Sequence, residues 1–288
     1  MKKLLFLLPA LITFFYSIAQ TDSGSFYLHK FAQNIGRESY TVAHTGNTLT
    51  YTVDFKFTDR GQAVPLKAQL VTTTAHDPVS LLIRGSTSRF STINDSISIQ
   101  NKKVTIRVDD SLYTETLKPL TFPVGGYSPG TVQMALLQYW KKHGEPRSIA
   151  LLPTGSVSIT RQGKEELTFM DKKLVLDRFV LSGLIWGNEI IWTDPNGKLI
   201  CLITNDAEGD KLEMMETAYE SLLPELISRG ATYGMQLFAA SMKMDPTKNK
   251  TLAIVGGNVV DVESGQTLRN QTIIIENGLI RERCRCLY

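Results

Sequence analysis

Residues 49–57 read Leu-Thr-Tyr-Thr-Val-Asp-Phe-Lys-Phe, with apolar and polar side chains alternating without a slip. Successive side chains of a β-strand point to opposite faces, so a period of two gives one buried face and one wet face. The same alternation returns at Val64, Leu66, Ala68 and Leu70, at Ile97 and Ile99, and at Val104, Ile106 and Val108. Between these runs stand Thr45-Gly46-Asn47, Asp59-Arg60-Gly61 and Gln100-Asn101-Lys102, residue types that reverse a chain at low steric cost. The stretch 26–121 is therefore predicted to be an antiparallel meander, packed on one face and solvated on the other.

A helix interrupts the strands. Ser128 is placed to cap it and Pro129 suits a first helical position, where its missing N–H is not needed. Val132, Ala135, Leu136, Tyr139 and Trp140 then form an apolar stripe. Lys141, Lys142 and His143 complement the negative helix end, and Gly144 stops it. Strands resume over 148–152, 157–160, 174–181, 189–193 and 199–204, with Asp194-Pro195-Asn196-Gly197 as a turn. Asp210 and Glu213 resemble a second helix start, supported by Leu212, Met215, Tyr219, Leu222 and Leu226 at helical spacing. Pro224 breaks or kinks that run and Gly230 ends it. Residues 231–250 read as a connector closing in Asp245-Pro246-Thr247-Lys248-Asn249-Lys250. Short strands follow at 252–255, 259–262, 272–276 and 279–281, punctuated by Gly256-Gly257 and by Asn277-Gly278, a strong hairpin signal. The fold class is thus mainly β (α+β): a long curved antiparallel sheet with one or two packed helices, then a partial small β-sandwich.

The first nineteen residues read as a cleavable secretory signal. Lys2 and Lys3 give a positive start, residues 4–15 are almost unbroken apolar, and Ser17 and Ala19 are the small residues expected before cleavage. The apolar run is shorter than the roughly 20 residues that span a bilayer. A periplasmic or secreted protein is expected, with no membrane partner after signal cleavage. The chain carries 31 Lys+Arg against 28 Asp+Glu, a formal charge of +3 that falls to +1 once Lys2 and Lys3 are removed, so a nucleic-acid partner is not expected. Three cysteines leave at least one unpaired, and Cys201 stands in an apolar run where a thiol behaves as a small hydrophobe.

Residues 252–265, Leu-Ala-Ile-Val-Gly-Gly-Asn-Val-Val-Asp-Val-Glu-Ser-Gly, followed by 272–280, Thr-Ile-Ile-Ile-Glu-Asn-Gly-Leu-Ile, resemble the opening of the metal-dependent amidohydrolase superfamily. The resemblance covers 251–281. It implies the first part of a small β-sandwich that flanks a (β/α)8 barrel, with 26–230 as a β-rich extension in front. It implies too that a full-length member hydrolyses C–N bonds in a small-molecule substrate with a divalent metal such as zinc. Family members continue into a barrel opening with His-x-His. This sequence reaches Tyr288 without one, and Arg283-Cys284-Arg285-Cys286-Leu287-Tyr288 does not resemble the glycine-rich continuation, so a frameshift or truncated gene model is expected. The implied organisation is 1–19 signal peptide, 20–230 β-rich domain, 231–250 connector and 251–288 incomplete flank sandwich.

No catalytic, cofactor-binding or metal-ligating residue is assigned, and no cofactor is expected in this chain. The four histidines, His29, His44, His76 and His143, form neither a His-x-His nor a His-Glu-x-x-His pair. Should hydrolysis nevertheless be found, His44 and His76 are the first residues to mutate. Cys284 and Cys286 would supply only half of a soft-metal site, and an out-of-frame tail explains them better. Residues 125–130 lack the Gly-Lys-Ser/Thr of a phosphate loop, and the acidic stretch 205–210 lacks the spacing of a calcium loop. Tyr127, Tyr139, Trp140, Trp186 and Trp192 either fill the core or line a groove. The competing reading is a stand-alone secreted module that holds a ligand or partner in the concave face of the sheet.

Overall fold

The computed structural model describes residues 21–124, 129–205, 209–241 and 251–285. The signal segment 1–19, the cap residue Ser128, the end of the connector at 245–250 and Cys286 lie outside the described residues. The chain divides into two compact units, Met1–Gly230 and Ala231–Tyr288.

In the first unit β1 (Thr21–Lys30), β2 (Gln33–Thr45), β3 (Thr48–Asp59), β4 (Gln62–Thr73), β5 (Pro78–Ser86), β6 (Thr92–Gln100), β7 (Lys103–Val108) and β8 (Ser111–Thr116) run as consecutive antiparallel hairpins. After β9 (Thr121–Pro123) comes helix α1 (Gly130–Lys142), and β10 (Ile149–Leu152) pairs parallel to β9. A second meander follows: β11 (Ser156–Phe169), β12 (Lys172–Ser182), β13 (Asn188–Thr193), β14 (Leu199–Asn205) and β15 (Lys211–Glu216). The two arms join where β1 pairs with β15, Phe26 opposite Glu216, to give one 15-stranded sheet. The last strand, β9, also meets β5 although most of the sheet lies between them, so the sheet curls back on itself.

The alternation seen in the sequence sets the inner face. Leu49, Tyr51, Val53, Phe55 and Phe57 of β3 are all buried while Thr52, Asp54 and Lys56 are exposed. The inner residues of both arms belong to a single hydrophobic core. Helix α1 lies inside it, with ten of its thirteen residues buried. A helix with one apolar stripe lies on a surface, whereas a helix buried nearly all round needs protein on every side. Its partners come from around the sheet: Tyr139 meets Phe122 of β9, Trp140 meets Phe179 of β12, and Gln138 accepts from Tyr51 of β3.

Glycine makes two close approaches possible. Gly36 stands opposite Phe57, and a Cβ there would fall 2.2 Å from the Lys56 carbonyl oxygen. Gly130, at the start of α1, would place a Cβ 2.6 Å from the Met214 methyl, so the helix enters directly over β15.

The first turn of α1 is met from the sheet: Glu38 of β2 accepts from the Gly130 and Thr131 amides at 3.0 and 2.8 Å and from the Thr131 hydroxyl, while Pro129 makes no side-chain cap bond. Three sequence expectations are corrected. The helix start expected at Asp210 is wrong, because Lys211–Glu216 is strand β15. This strand is buried on both faces, Leu212 and Met214 within the core that holds α1 and Met215 on the other side, so its apolar residues do not alternate. Next, Gly230 does not end the second helix. After a 3-10 turn, Thr217–Leu222, helix α2 (Leu223–Ser241) runs through it, so 231–241 is helical rather than connector. A Cβ at Gly230 would fall 2.5 Å from Ile203 Cδ1 and 3.4 Å from Trp192; the missing side chain brings α2 close to the outer face of β13 and β14. Arg229 pairs with the buried Glu165, which also holds Arg178 at 3.2 Å and the Trp192 indole at 3.4 Å.

The second unit carries a three-stranded antiparallel sheet, β16 (Thr251–Asp261), β17 (Gln266–Glu276) and β18 (Leu279–Arg285). The third correction falls here: the runs 252–255 and 259–262 are one strand, bent at Gly256-Gly257, where the pairing register shifts and Gly256 has φ 75°. Asn277 and Gly278 both adopt left-handed φ, 50° and 80°, the conformation of a tight hairpin turn. The residues that suggested a family motif therefore have a local explanation, as the bulge and turn residues that a meander of this kind requires.

Candidate functional site

Between α1 and strands β1 to β3 the core does not close. A cavity of about 430 Å³ remains at the end of the sheet where β2 turns into β3. Asp22 and Ser23 of β1, and Tyr40, Val42 and His44 of β2, line one wall. Leu49 and Tyr51 of β3 continue it, and Met134 and Gln138 of α1 face them. His76, from the β4–β5 connection, and Asn196 and Lys198, from the β13–β14 turn, complete the rim.

Period-two geometry aims these groups. Tyr40, Val42 and His44 occupy the inward phase of β2, and Leu49 and Tyr51 the inward phase of β3. Tyr40 stands directly opposite Gly24, whose Cβ would lie 2.6 Å from the phenolic oxygen. Glycine at that position lets the ring lie across β1, where it stacks on Phe26 at 5.6 Å between centroids. On α1, Met134 and Gln138 are four residues apart and so share a helix face.

The hydrogen bonds within the cavity are only partly used. Tyr51 donates to Gln138 Oε1 at 3.1 Å. Lys198 Nζ donates to Glu216 Oε1 at 3.2 Å. His44 Nε2 is 3.7 Å from Asp22 Oδ2, beyond hydrogen-bond length. Burial, and then the carboxylates of Glu216, Glu38, Asp22 and Asp194, push the Tyr40 hydroxyl up to about 12. Burial also pushes Tyr51 up to about 12. Both phenols are therefore neutral donors and acceptors at physiological pH. Burial, and then the Lys142 ammonium, hold the His76 imidazole below its ordinary 6.5.

Of the four histidines, the structure brings His44 and His76 to this one cavity. His29 lies on the opposite face of β1, with Nε2 3.1 Å from Glu220 Oε1, and His143 ends α1 with Nε2 3.0 Å from Asp77 Oδ1. Among the described residues no three His, Cys, Asp or Glu side chains are grouped to hold a metal ion. Cys201 is buried and Cys284 exposed. Tyr139, Trp140 and Trp192 are core residues, whereas Trp186 is 94% exposed; Tyr127 lies outside the described residues. No described helix is long and apolar enough to cross a membrane. Sequence reasoning assigned no site residue, and one signal was available to it: Tyr40, His44 and Tyr51 are polar-tipped side chains standing in the apolar phase of otherwise regular strands.

No family model matches the chain, and no curated protein matches it. Among solved structures it is similar to a β-barrel-like protein of the domain of unknown function DUF1849 from Brucella abortus, at 10% sequence identity and a TM-score of 0.44, covering 69% of this chain and 96% of that one. The resemblance to the amidohydrolases is corrected by these findings. No family model and no curated protein supports that family, and the motif at 252–280 is accounted for by bulge and turn geometry. The C–N hydrolase function inferred from the same resemblance falls with it.

Proposed function

We propose that the β-rich unit binds a small molecule in the cavity between α1 and β1 to β3, within an exported protein that works in the periplasm or outside the cell. The observation that carries this reading is the convergence of two imidazoles, two phenols, two amides, an ammonium and a carboxylate on one concave space of about 430 Å³. Ligand sites are typically concavities of roughly 300–1,000 Å³ with apolar walls and a few placed polar groups. Val42, Leu49 and Met134 are the apolar wall here. These polar groups come from strands, a helix and two connections that a continuous core would otherwise fill with hydrophobic side chains, since native interiors are close-packed.

The test is a screen of small soluble molecules read by NMR of the histidine side chains. Binders should move the His44 and His76 resonances together and leave His29 unmoved, and His44→Ala should weaken them. A screen whose binders all leave His44 and His76 untouched refutes the reading.

A further inference from the structure

We infer that the cavity selects a small zwitterion with an apolar side group, in chemical class a free amino acid or a short peptide; the inference rests on the binding reading above. Two residues lining the cavity carry a formal charge at neutral pH, and the two charges are opposite: Asp22 and Lys198. Asp22 Oδ2 lies 3.7 Å from His44 Nε2, and the Asp22 side chain is 66% exposed. Lys198 is ion-paired with Glu216 at 3.2 Å, which takes one of its three N–H donors and leaves two.

An uncharged ligand would bury part of both charges without replacing their water, which is unfavourable. A molecule with an ammonium at one end and a carboxylate at the other answers both. The neutral groups divide in the same way. Tyr40, beside Asp22, stays protonated through burial and its carboxylate neighbours, so its oxygen can accept from an ammonium. Gln138 accepts from Tyr51, and its amide carries two N–H donors, which suit a carboxylate. Met134 and Leu49 supply an apolar seat for a side group.

Isothermal titration of the full chain with leucine, N-acetyl-leucine and leucine amide tests this. Leucine keeps both charges, and each of the others lacks one. Leucine should bind, and both blocked forms should bind about tenfold more weakly or worse, the loss expected when a charged group is left without its partner. In Asp22→Asn, whose fold is checked by its melting curve, the advantage of leucine over N-acetyl-leucine should shrink toward one. Equal binding of either blocked form, or an unchanged advantage in Asp22→Asn, overturns the inference. Should leucine and alanyl-leucine fail to bind while other molecules move His44 and His76, the zwitterion inference falls and the binding reading stands. If nothing moves those imidazoles, both fall.

Discussion

Replacing Glu189 with glutamine removes a charge from the interior while keeping the hydrogen bonds around it. Glu189 is 0% exposed. Its Oε1 accepts from the Thr204 hydroxyl at 2.6 Å and the Gln133 amide at 2.9 Å, and its Oε2 has no partner among the described residues. A glutamine carbonyl serves the same two donors, and its amide nitrogen takes the place of the unpartnered oxygen. Burial lifts the carboxyl from 4.5 to about 6 against the pull of the Thr204 and Gln133 hydrogen bonds, which corresponds to about 2 kcal/mol at 1.36 kcal/mol per pH unit. Because the folded state has the higher proton affinity, the ionised form weakens the fold at every pH above about 6. As the pH falls from about 6 toward 4.5 the folded protein takes up its proton first and the penalty fades. Below that, both states are neutral at this residue. Urea unfolding followed by tryptophan fluorescence at several pH values measures the effect. Glu189→Gln should be more stable than the wild type by up to about 2 kcal/mol at pH 7, with the difference vanishing near pH 4.5. A variant less stable at pH 7, or an offset that does not change with pH, would show that the carboxylate's hydrogen bonds outweigh its desolvation.

Glu38→Ala should destabilise the fold by about 3 kcal/mol, because it strands the Gly130 and Thr131 amides and the Thr131 hydroxyl in the interior; Glu38→Gln, which keeps an acceptor, should cost less, and urea midpoints separate the two. Gly36→Ala should cost about 2 kcal/mol or more, since the new methyl meets backbone at 2.2 Å and not a movable side-chain end; a variant melting within a degree of wild type contradicts this. His76 is held below 6.5 in the folded state, so the unfolded chain takes up that proton first and stability should fall as the pH drops below 6.5. His76→Asn, a residue type that tolerates the left-handed φ of 67° at this position, should reduce that slope in urea midpoints measured from pH 7 down to 5.

The strands that were easy to read have one wet face. Residues 49–57 announce their pleat because Thr52, Asp54 and Lys56 meet solvent while their neighbours do not. Lys211–Glu216 has no such contrast, with five of its six residues buried, and the chance helical spacing of Leu212 and Met215 prevailed in the reading. Gly230 carries two meanings that a sequence cannot separate, helix terminator and close-packing residue, and only the approach to Ile203 decides between them. The capping of α1 was hidden for another reason: Glu38 lies in a different strand, and nothing local to residue 130 points to it. The cavity was illegible for the same cause. Asp22, His44, His76 and Lys198 are joined by strand register and by the curl of the sheet, which no spacing along the chain records.

The seam between β1 and β15 has a consequence for how the chain comes to be folded. Every other antiparallel pairing in the first unit joins strands that follow one another in the sequence, so each hairpin closes as soon as it leaves the ribosome or a membrane pore. β1 alone must wait, because its second partner is Lys211–Glu216, at the far end of the unit. Until that strand emerges, β1 presents an unpaired backbone edge, and such edges pair with whatever strand is nearby. Closing a loop of this length is also slow relative to making hairpins. During synthesis, then, the nascent protein is a row of finished hairpins whose β1 flank stays open, and the vulnerable interval at that flank lasts until residue 216 appears. A holdase that shields extended segments would be most useful at that flank, and a chain released before residue 211 should aggregate through it.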